Sequence, residues 1–412
     1  MAEAAAMPPL ALSAATAVTA LGRGTGPLRA GLLARRGGLR PCDLPDMPEG
    51  IWIGRVEALE AAALPPALAG FACRNNRLAE LALASDGVAE AVAAARARAG
   101  AGRIAVVLGT STAGIEETEQ AWRRRGADGA LPPEFDYACS HDLQSLPRYV
   151  RARLGLRGPA LAFSTACTSG ARAIAEAAAL IGAGIVDAAV AGGVDTLCRM
   201  TLHGFAALEV LSHGPTRPCA ADRDGISIGE AAGLVLLERP GQERPGQERP
   251  GQAPAGAIRL LGAGASSDGH HMSSPHPEGE GAVAAMRMAL GSAGLAPGEI
   301  GYVNLHGTGT RANDAMEDRA VHQLFGDRVP CSSTKGWTGH ALGAAGAVEA
   351  VIAALCLQEG LVPGCLGIAA ADPEFRCDIA TGNRAAPGLS RVMSNSFGFG
   401  GSNCSLILGR ET

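Results

Sequence analysis

Cys167 stands in the run Ser164-Thr165-Ala166-Cys167-Thr168-Ser169-Gly170, after a short apolar stretch and before an alanine-rich one. A cysteine where a strand turns into a helix faces unpaired backbone donors and the positive end of the helix dipole, and both favour thiolate over thiol. Such a corner also lifts a nucleophile to the edge of a sheet, and small flanking residues let a substrate approach. The expectation is a nucleophilic thiol of lowered pKa. His306 closes a second apolar stretch and opens Gly307-Thr308-Gly309-Thr310, a loop with backbone donors and two hydroxyls beside an imidazole. His340 opens a third glycine-bounded corner, ahead of a long apolar stretch that holds Glu349. Either imidazole alone reads equally well as a satisfied core residue. A cysteine and two histidines on three such corners form the pattern of a catalytic site. Phe397-Gly398-Phe399-Gly400-Gly401-Ser402 adds a pliant backbone able to carry an oxyanion donor.

Lys335 is the one lysine among 35 lysines and arginines, and it lies in Ser332-Ser333-Thr334-Lys335-Gly336-Trp337-Thr338-Gly339-His340. An ammonium is a compact point charge with three rotatable donors, and the planar guanidinium fork does not fit the same small pocket. Codon bias accounts for a lone survivor as well. Its place just before His340 argues for the site.

These residues need a scaffold of strands and helices. Short apolar runs predict strands over 103–109, 160–164 and 185–191, with an alanine-rich helix over 170–183. Further on, the pattern predicts a helix over 282–293, a strand over 300–305 and a helix over 314–325. A long helix over 344–359 and a closing strand pair at 391–395 and 404–408 complete it. The alternation argues a layered α/β protein. Glu238–Gln252 is three copies of Glu-Arg-Pro-Gly-Gln. Proline at every fifth residue excludes regular helix and central strand, so the segment reads as a solvated loop. It divides the chain into residues 1–255, with the cysteine, and 256–412, with both histidines and the lysine.

Apolar residues make up 47% of the 412 and charged residues 18%, which is ample for a deep core and excludes a disordered chain. Aromatics are only 3%, so alanine must supply much of the core, which implies close helix–sheet packing. A net charge of −5 gives no electrostatic case for nucleic acid. The eleven cysteines lack CxxC or other metal-ligand spacing, which argues against a disulfide framework and for a reducing compartment. The first twenty residues lack the positive region of a signal peptide, and no stretch reads as a spanning helix. The expectation is a cytoplasmic protein without a metal or a membrane span.

Taken together, Thr-Ala-Cys-Thr-Ser-Gly, His-Gly-Thr-Gly-Thr, Ser-Thr-Lys-Gly-Trp-Thr-Gly-His and Asn-Ser-Phe-Gly-Phe-Gly-Gly-Ser-Asn resemble the elongating β-ketoacyl-acyl-carrier-protein synthases of the thiolase superfamily. The resemblance covers nearly the whole chain and is dense from about residue 155 onward. It implies two related βαβαβαββ halves in a five-layered α-β-α-β-α fold. It implies decarboxylative Claisen condensation of malonyl-acyl-carrier-protein with an acyl group held as a thioester on Cys167, in fatty acid or polyene and polyketide elongation. His306 and His340 would bind the malonyl thioester carbonyl and stabilise the enolate. Lys335, with Glu349 as ionic partner, would order the histidines. The amides of Cys167 and Phe399 would form the oxyanion hole, and Thr308 and Thr310 would bind the pantetheine arm. Phe205 and Phe399 would line and gate the acyl pocket beside a mobile loop, Asp268–Ser273, with Asp268 and His271. No cofactor is implied, since substrates arrive on the phosphopantetheine of acyl carrier protein. The protein would dock that carrier through arginines; Arg123-Arg124-Arg125 is the densest cluster, and it reads equally well as a merely solvated run. It would work as a homodimer, or as a heterodimer with a chain-length factor.

A thiolase would pair its cysteine with a histidine and a second cysteine, and an initiating synthase would use histidine and asparagine. This chain shows neither set. A chain-length factor shares the fold but lacks the nucleophile, which Cys167 argues against. Cys219 and Ala220 stand where the family often has an aromatic and an aspartate. Leu10-Ala11-Leu12-Ser13-Ala14 and Gly50-Ile51-Trp52-Ile53-Gly54-Arg55 resemble synthases of aryl-polyene pigment clusters more than housekeeping ones.

Overall fold

The computed structural model describes residues 7–241 and 257–410, so most of the Glu-Arg-Pro-Gly-Gln repeat lies outside the described residues. Each half of the chain lays down five principal strands. The first half supplies β1 (Leu10–Thr19), β2 (Ile104–Gly109), β3 (Ala160–Phe163), β4 (Ala188–Asp195) and β5 (Ala231–Glu238). The second supplies β6 (Ile258–Ser267), β7 (Tyr302–Asn304), β8 (Pro330–Ser332), β9 (Arg391–Gly398) and β10 (Ser402–Arg410). Their spatial orders are β3-β2-β4-β5-β1 and β8-β7-β9-β10-β6, the same path twice. In each, the first three strands pair in parallel and the next two pairings are antiparallel, so that one strand, β5 or β10, runs against the other four. β1 and β6 pair at Leu10↔Leu260 and Ala11↔Arg259, which joins the two sheets.

Strands β2, β4 and β5 are buried along their whole length, as their unbroken apolar and small-residue runs require when both sheet faces are covered. Helices α1 (Arg74–Leu83) and α2 (Ser145–Arg153) cover the outer face of the first sheet. Helix α3 (Ser169–Gly182) lies on the inner face. Helix α4 (Glu280–Ala293) covers the outside of the second sheet with α5 (Arg311–Phe325) packed on it, and α6 (Ala345–Glu359) lies between the sheets beside α3. This is the five-layered thiolase-type fold. Every residue of α6 from Ala345 to Leu357 is buried, the mark of a helix that is apolar all round. Among the described residues, Leu342–Glu359 is the one helix long and apolar enough to cross a membrane, and it forms the centre of the molecule.

The low aromatic content has its reason at the α3–α6 crossing. A Cβ on Gly170 would lie 2.9 Å from the Gly343 carbonyl oxygen and 3.0 Å from the Ala347 Cβ. Larger side chains would drive apart the two helices that carry the chemistry.

One strand is displaced from its expected place. Residues 183–187 form the turn and bend that follow α3, and β4 begins at Ala188 and runs on through Gly192-Gly193 to Asp195. The Arg103 guanidinium binds the carbonyls of Gly184 and Ile185 and holds that turn outside the sheet. The glycine pair, which discourages a strand on propensity, is needed because Gly193 abuts Gly343 and Gly170.

Candidate active site

The repeated topology places the chemistry at equivalent corners. Cys167 lies between β3 and α3, and His340 between β8 and α6. His306 follows β7, and Phe399 follows β9.

The cysteine corner is tightly tied. Ala166 adopts a left-handed φ of 51°. The Ser169 hydroxyl accepts from the Thr165 amide at 2.9 Å and donates to the Ala166 carbonyl at 2.6 Å. Thr168 Oγ1 and Ser402 Oγ lie 2.9 Å apart, which fastens the corner to the turn that carries Phe399.

Cys167 Sγ lies 3.0 Å from His340 Nε2. The His306 and His340 rings meet edge to face with centroids 5.3 Å apart. His340 is fixed by its backbone, donating to the Ser227 carbonyl at 2.8 Å and accepting from the Gly229 amide at 2.9 Å. Burial, reinforced by the Lys335 charge, holds both imidazoles well below the ordinary histidine range, so they are neutral.

Lys335 is 1% exposed and spends its three donors inside the site. Nζ lies 2.5 Å from Glu349 Oε1, 2.5 Å from the His306 carbonyl oxygen and 3.3 Å from His306 Nδ1. An ammonium has no acceptor, so it can only donate to Nδ1. That places the His306 proton on Nε2, the nitrogen left for the cleft. Burial pushes the Glu349 carboxyl up to about 7 despite the ammonium beside it.

The expected lowering of the nucleophile's pKa is not met. Burial pushes the Cys167 thiol up to about 11, although the Lys335 charge and the Phe399 amide both favour the thiolate. The reason is local. The Thr168 amide is bonded to the Thr165 carbonyl and the Ser169 amide to the Ala166 carbonyl, so the first donors of α3 are already used by the corner. The amides that reach the sulfur are those of Phe399 and Cys167 itself. A neutral thiol therefore faces a neutral imidazole.

A cavity of about 230 Å³ opens onto these groups. Thr308 and Thr310 line it, their hydroxyls 2.9 Å apart, as do Phe205 and Phe399, with ring centroids 5.8 Å apart. Thr310 also caps α5, its hydroxyl accepting from the Asn313 amide. Asp268 lines the cavity and binds Asn403 Nδ2 at 2.7 Å. His271 does not line it. Its exposed ring accepts from the Ser273 and Ser274 amides and so holds its own loop in a turn.

Two acids escaped the reading of the sequence. Glu317 on α5 accepts from the His306 and Gly307 amides, both at 2.8 Å, and clamps the backbone of the first histidine. Asp195 ends β4. Its carboxylate accepts from Thr110 Oγ1 at 2.7 Å, the Thr112 amide at 2.9 Å and the Gly343 amide at 2.6 Å. It thereby ties the segment after His340 to the end of β4 and to the loop that follows β2. The available signals were an acid on the inner face of the helix after the Gly-Thr loop, and an acid closing an otherwise apolar strand.

A thiol, two imidazoles and a buried lysine at the crossing of two thiolase-type halves define a condensing acyltransferase. Residues 74–242 match the family profile "Beta-ketoacyl synthase, N-terminal domain", and residues 258–369 match "Beta-ketoacyl synthase, C-terminal domain". The chain is 42% identical over 276 residues to 3-oxoacyl-acyl-carrier-protein synthase 2 of Rhizobium meliloti, an alignment covering 64% of this chain and 63% of that one. It is 35% identical over 326 residues to the enzyme of the same name from Vibrio cholerae, covering 75% and 76%. A solved ketosynthase, ApeO, in complex with its chain length factor, ApeC, from Xenorhabdus doucetiae superposes with a TM-score of 0.87 at 41% identity, covering 98% of each chain. The chain belongs to the β-ketoacyl synthase family, the enzymes that condense thioesters in fatty acid and polyketide elongation.

Proposed function

We propose that Cys167 carries the growing acyl chain and that His306 and His340 serve the malonyl half-reaction. The observation that carries this is the 3.0 Å approach of Cys167 Sγ to a neutral His340, with the His306 ring beside it. In loading, Sγ attacks the acyl thioester carbonyl, and the thiol proton goes to the departing pantetheine sulfur, which leaves as a thiol. The carbonyl oxygen rests on the Cys167 and Phe399 amides. In condensation, the malonyl thioester oxygen sits against the two imidazoles, carbon dioxide leaves, and the electron pair remains as an enolate. The carbanion attacks the acyl carbonyl and expels the Cys167 thiolate, which takes up a proton from water. The residues before the repeat thus supply the nucleophile, and those after it supply both histidines and the lysine.

The substrates come on a carrier protein, and the pathway is aryl-polyene or a related polyene synthesis, with a chain-length factor as partner. Similarity to the Xenorhabdus ketosynthase supports this reading. So does β3, the last strand in its sheet, which bears the exposed Leu161 and offers an edge to a second chain. Of the arginines expected to dock the carrier, Arg124 is paired with Glu134 and Arg125 stacks over Trp122.

The test is intact-protein mass spectrometry after incubation with a panel of acyl-acyl-carrier proteins, alone and with a chain-length factor. The expected mass shift equals one acyl group, maps to Cys167, and vanishes in Cys167→Ala. Acylation at another residue would overturn the assignment.

A further inference from the structure

Cys167 Sγ and one ring nitrogen each of His306 and His340 lie within 4.8 Å of one another, and all three residues are buried. A thiolate and two imidazoles make the donor set of a zinc site. With Zn–S near 2.3 Å and Zn–N near 2.0–2.1 Å, donors around a tetrahedral ion sit roughly 3.4–3.6 Å apart. The 3.0 Å between Cys167 and His340 and the 4.8 Å outer limit bracket that spacing. Shifts of about an ångström would complete three ligands, with the cavity open for a fourth. A nucleophile held in this way could not be acylated.

Lys335 stands against it. A histidine bound to a metal keeps its proton on the far nitrogen and donates it to a carboxylate, a carbonyl or water. The far nitrogen of His306, Nδ1, instead faces the Lys335 ammonium at 3.3 Å. The ammonium can only donate there, and metal binding through Nε2 would set two donors against each other. It would also put a dication one ring away from a fixed positive charge. Glu349 and the His306 carbonyl oxygen anchor that charge, so it cannot swing aside without losing both.

We infer that Lys335 keeps the Cys167–His306–His340 cluster free of thiophilic divalent cations by holding the His306 proton on Nε2, and that removing the ammonium turns the cluster into a metal site. The inference concerns the site before acylation and does not depend on which acyl group the enzyme loads. It gives the single lysine a task beyond ordering the histidines. The catalytic groups resemble a zinc site in kind and spacing, and one hydrogen bond sets their tautomer against it.

The test titrates Co²⁺ into the full chain, into Lys335→Met, and into Lys335→Met/Glu349→Gln, in which no charge is left stranded. Both variants should show thiolate-to-cobalt absorption saturating at one equivalent, with affinity roughly 10- to 100-fold above the unaltered chain, the range set by a partner of a metal-bound histidine. Adding Cys167→Ser to either should abolish the band. The inference is overturned if the unaltered chain binds Co²⁺ as tightly. It is equally overturned if the folded double variant binds none, or if the band survives Cys167→Ser, which would place the metal elsewhere, such as at the His270–His276 pair.

Discussion

The thiol of Cys167, pushed up to about 11, makes a quantitative demand on its reactivity. At pH 8 a thiol of that pKa is about one part in a thousand thiolate, whereas an ordinary cysteine near 8.5 is about one part in four. The thiolate fraction alone would slow alkylation more than two-hundredfold. A more basic thiolate is also a better nucleophile, by roughly tenfold over that interval for a Brønsted slope near 0.45. The net expectation is alkylation by iodoacetamide about twentyfold slower than free cysteine at pH 8. The rate should climb tenfold per pH unit from 7 to 10 without levelling. Two substitutions move the profile in opposite senses. Asp195 opposes the thiolate and Lys335 favours it, so Asp195→Asn should speed labelling at pH 8 and Lys335→Met should slow it. The measurement is the mass-spectrometric rate at the Cys167 peptide, referenced to glutathione in the same tube. A plateau below pH 8 would refute the reasoning, because it would show a thiolate stabilised by the helix start after all.

Lys335→Arg should lose at least tenfold to a hundredfold in condensation turnover while its melting temperature falls by only a few degrees. The planar head cannot serve the Glu349 carboxylate, the His306 carbonyl and Nδ1 from one buried point, and over-packing costs about 1–3 kcal/mol; near-normal turnover would reduce the lone lysine to an accident of codon usage. Alanine at His306 or His340 should slow malonyl decarboxylation by roughly two orders of magnitude, the loss of one oxyanion donor, and acyl loading that collapses while decarboxylation stays normal would reverse the roles. Glu317 is raised from 4.5 to about 7 by burial, so the folded state holds its proton more tightly than the unfolded chain does. Its cost to stability is full above about pH 7, shrinks as the pH falls, and is gone below 4.5. The opposing effect of the buried histidines is common to both proteins, so the native chain should gain up to about 3 kcal/mol over Glu317→Gln between pH 8 and 4.5 in urea unfolding. Parallel stability curves would disprove the shift.

The site was legible because its groups sit on corners that announce themselves. Small residues flank Cys167, a glycine adjoins each histidine, and a lysine survives in a chain of arginines. The acids that hold those corners were not legible. Glu317 lies on a helix whose other acids, Asp314 and Asp318, bind the backbone of neighbouring loops, and nothing in the sequence tells these apart from a clamp on His306. Asp195 reads as the polar end of a strand, and its partners are brought to it only by the fold. The pKa of Cys167 was misread for a related reason. Its position before a helix was foreseen correctly, but a helix start stabilises a thiolate only with donors that are still free, and the Thr165 and Ala166 carbonyls of the corner had taken the first of them. The two halves share no obvious sequence repeat, yet they share a strand order, and that order sets Cys167 and His340 at equivalent helix starts. A charged lysine could then be buried where both converge, because Glu349, one turn into the second of those helices, comes with it. The lysine is legible as an oddity in the sequence and intelligible only in the fold, where its three donors meet three fixed acceptors and leave His306 one nitrogen with which to work.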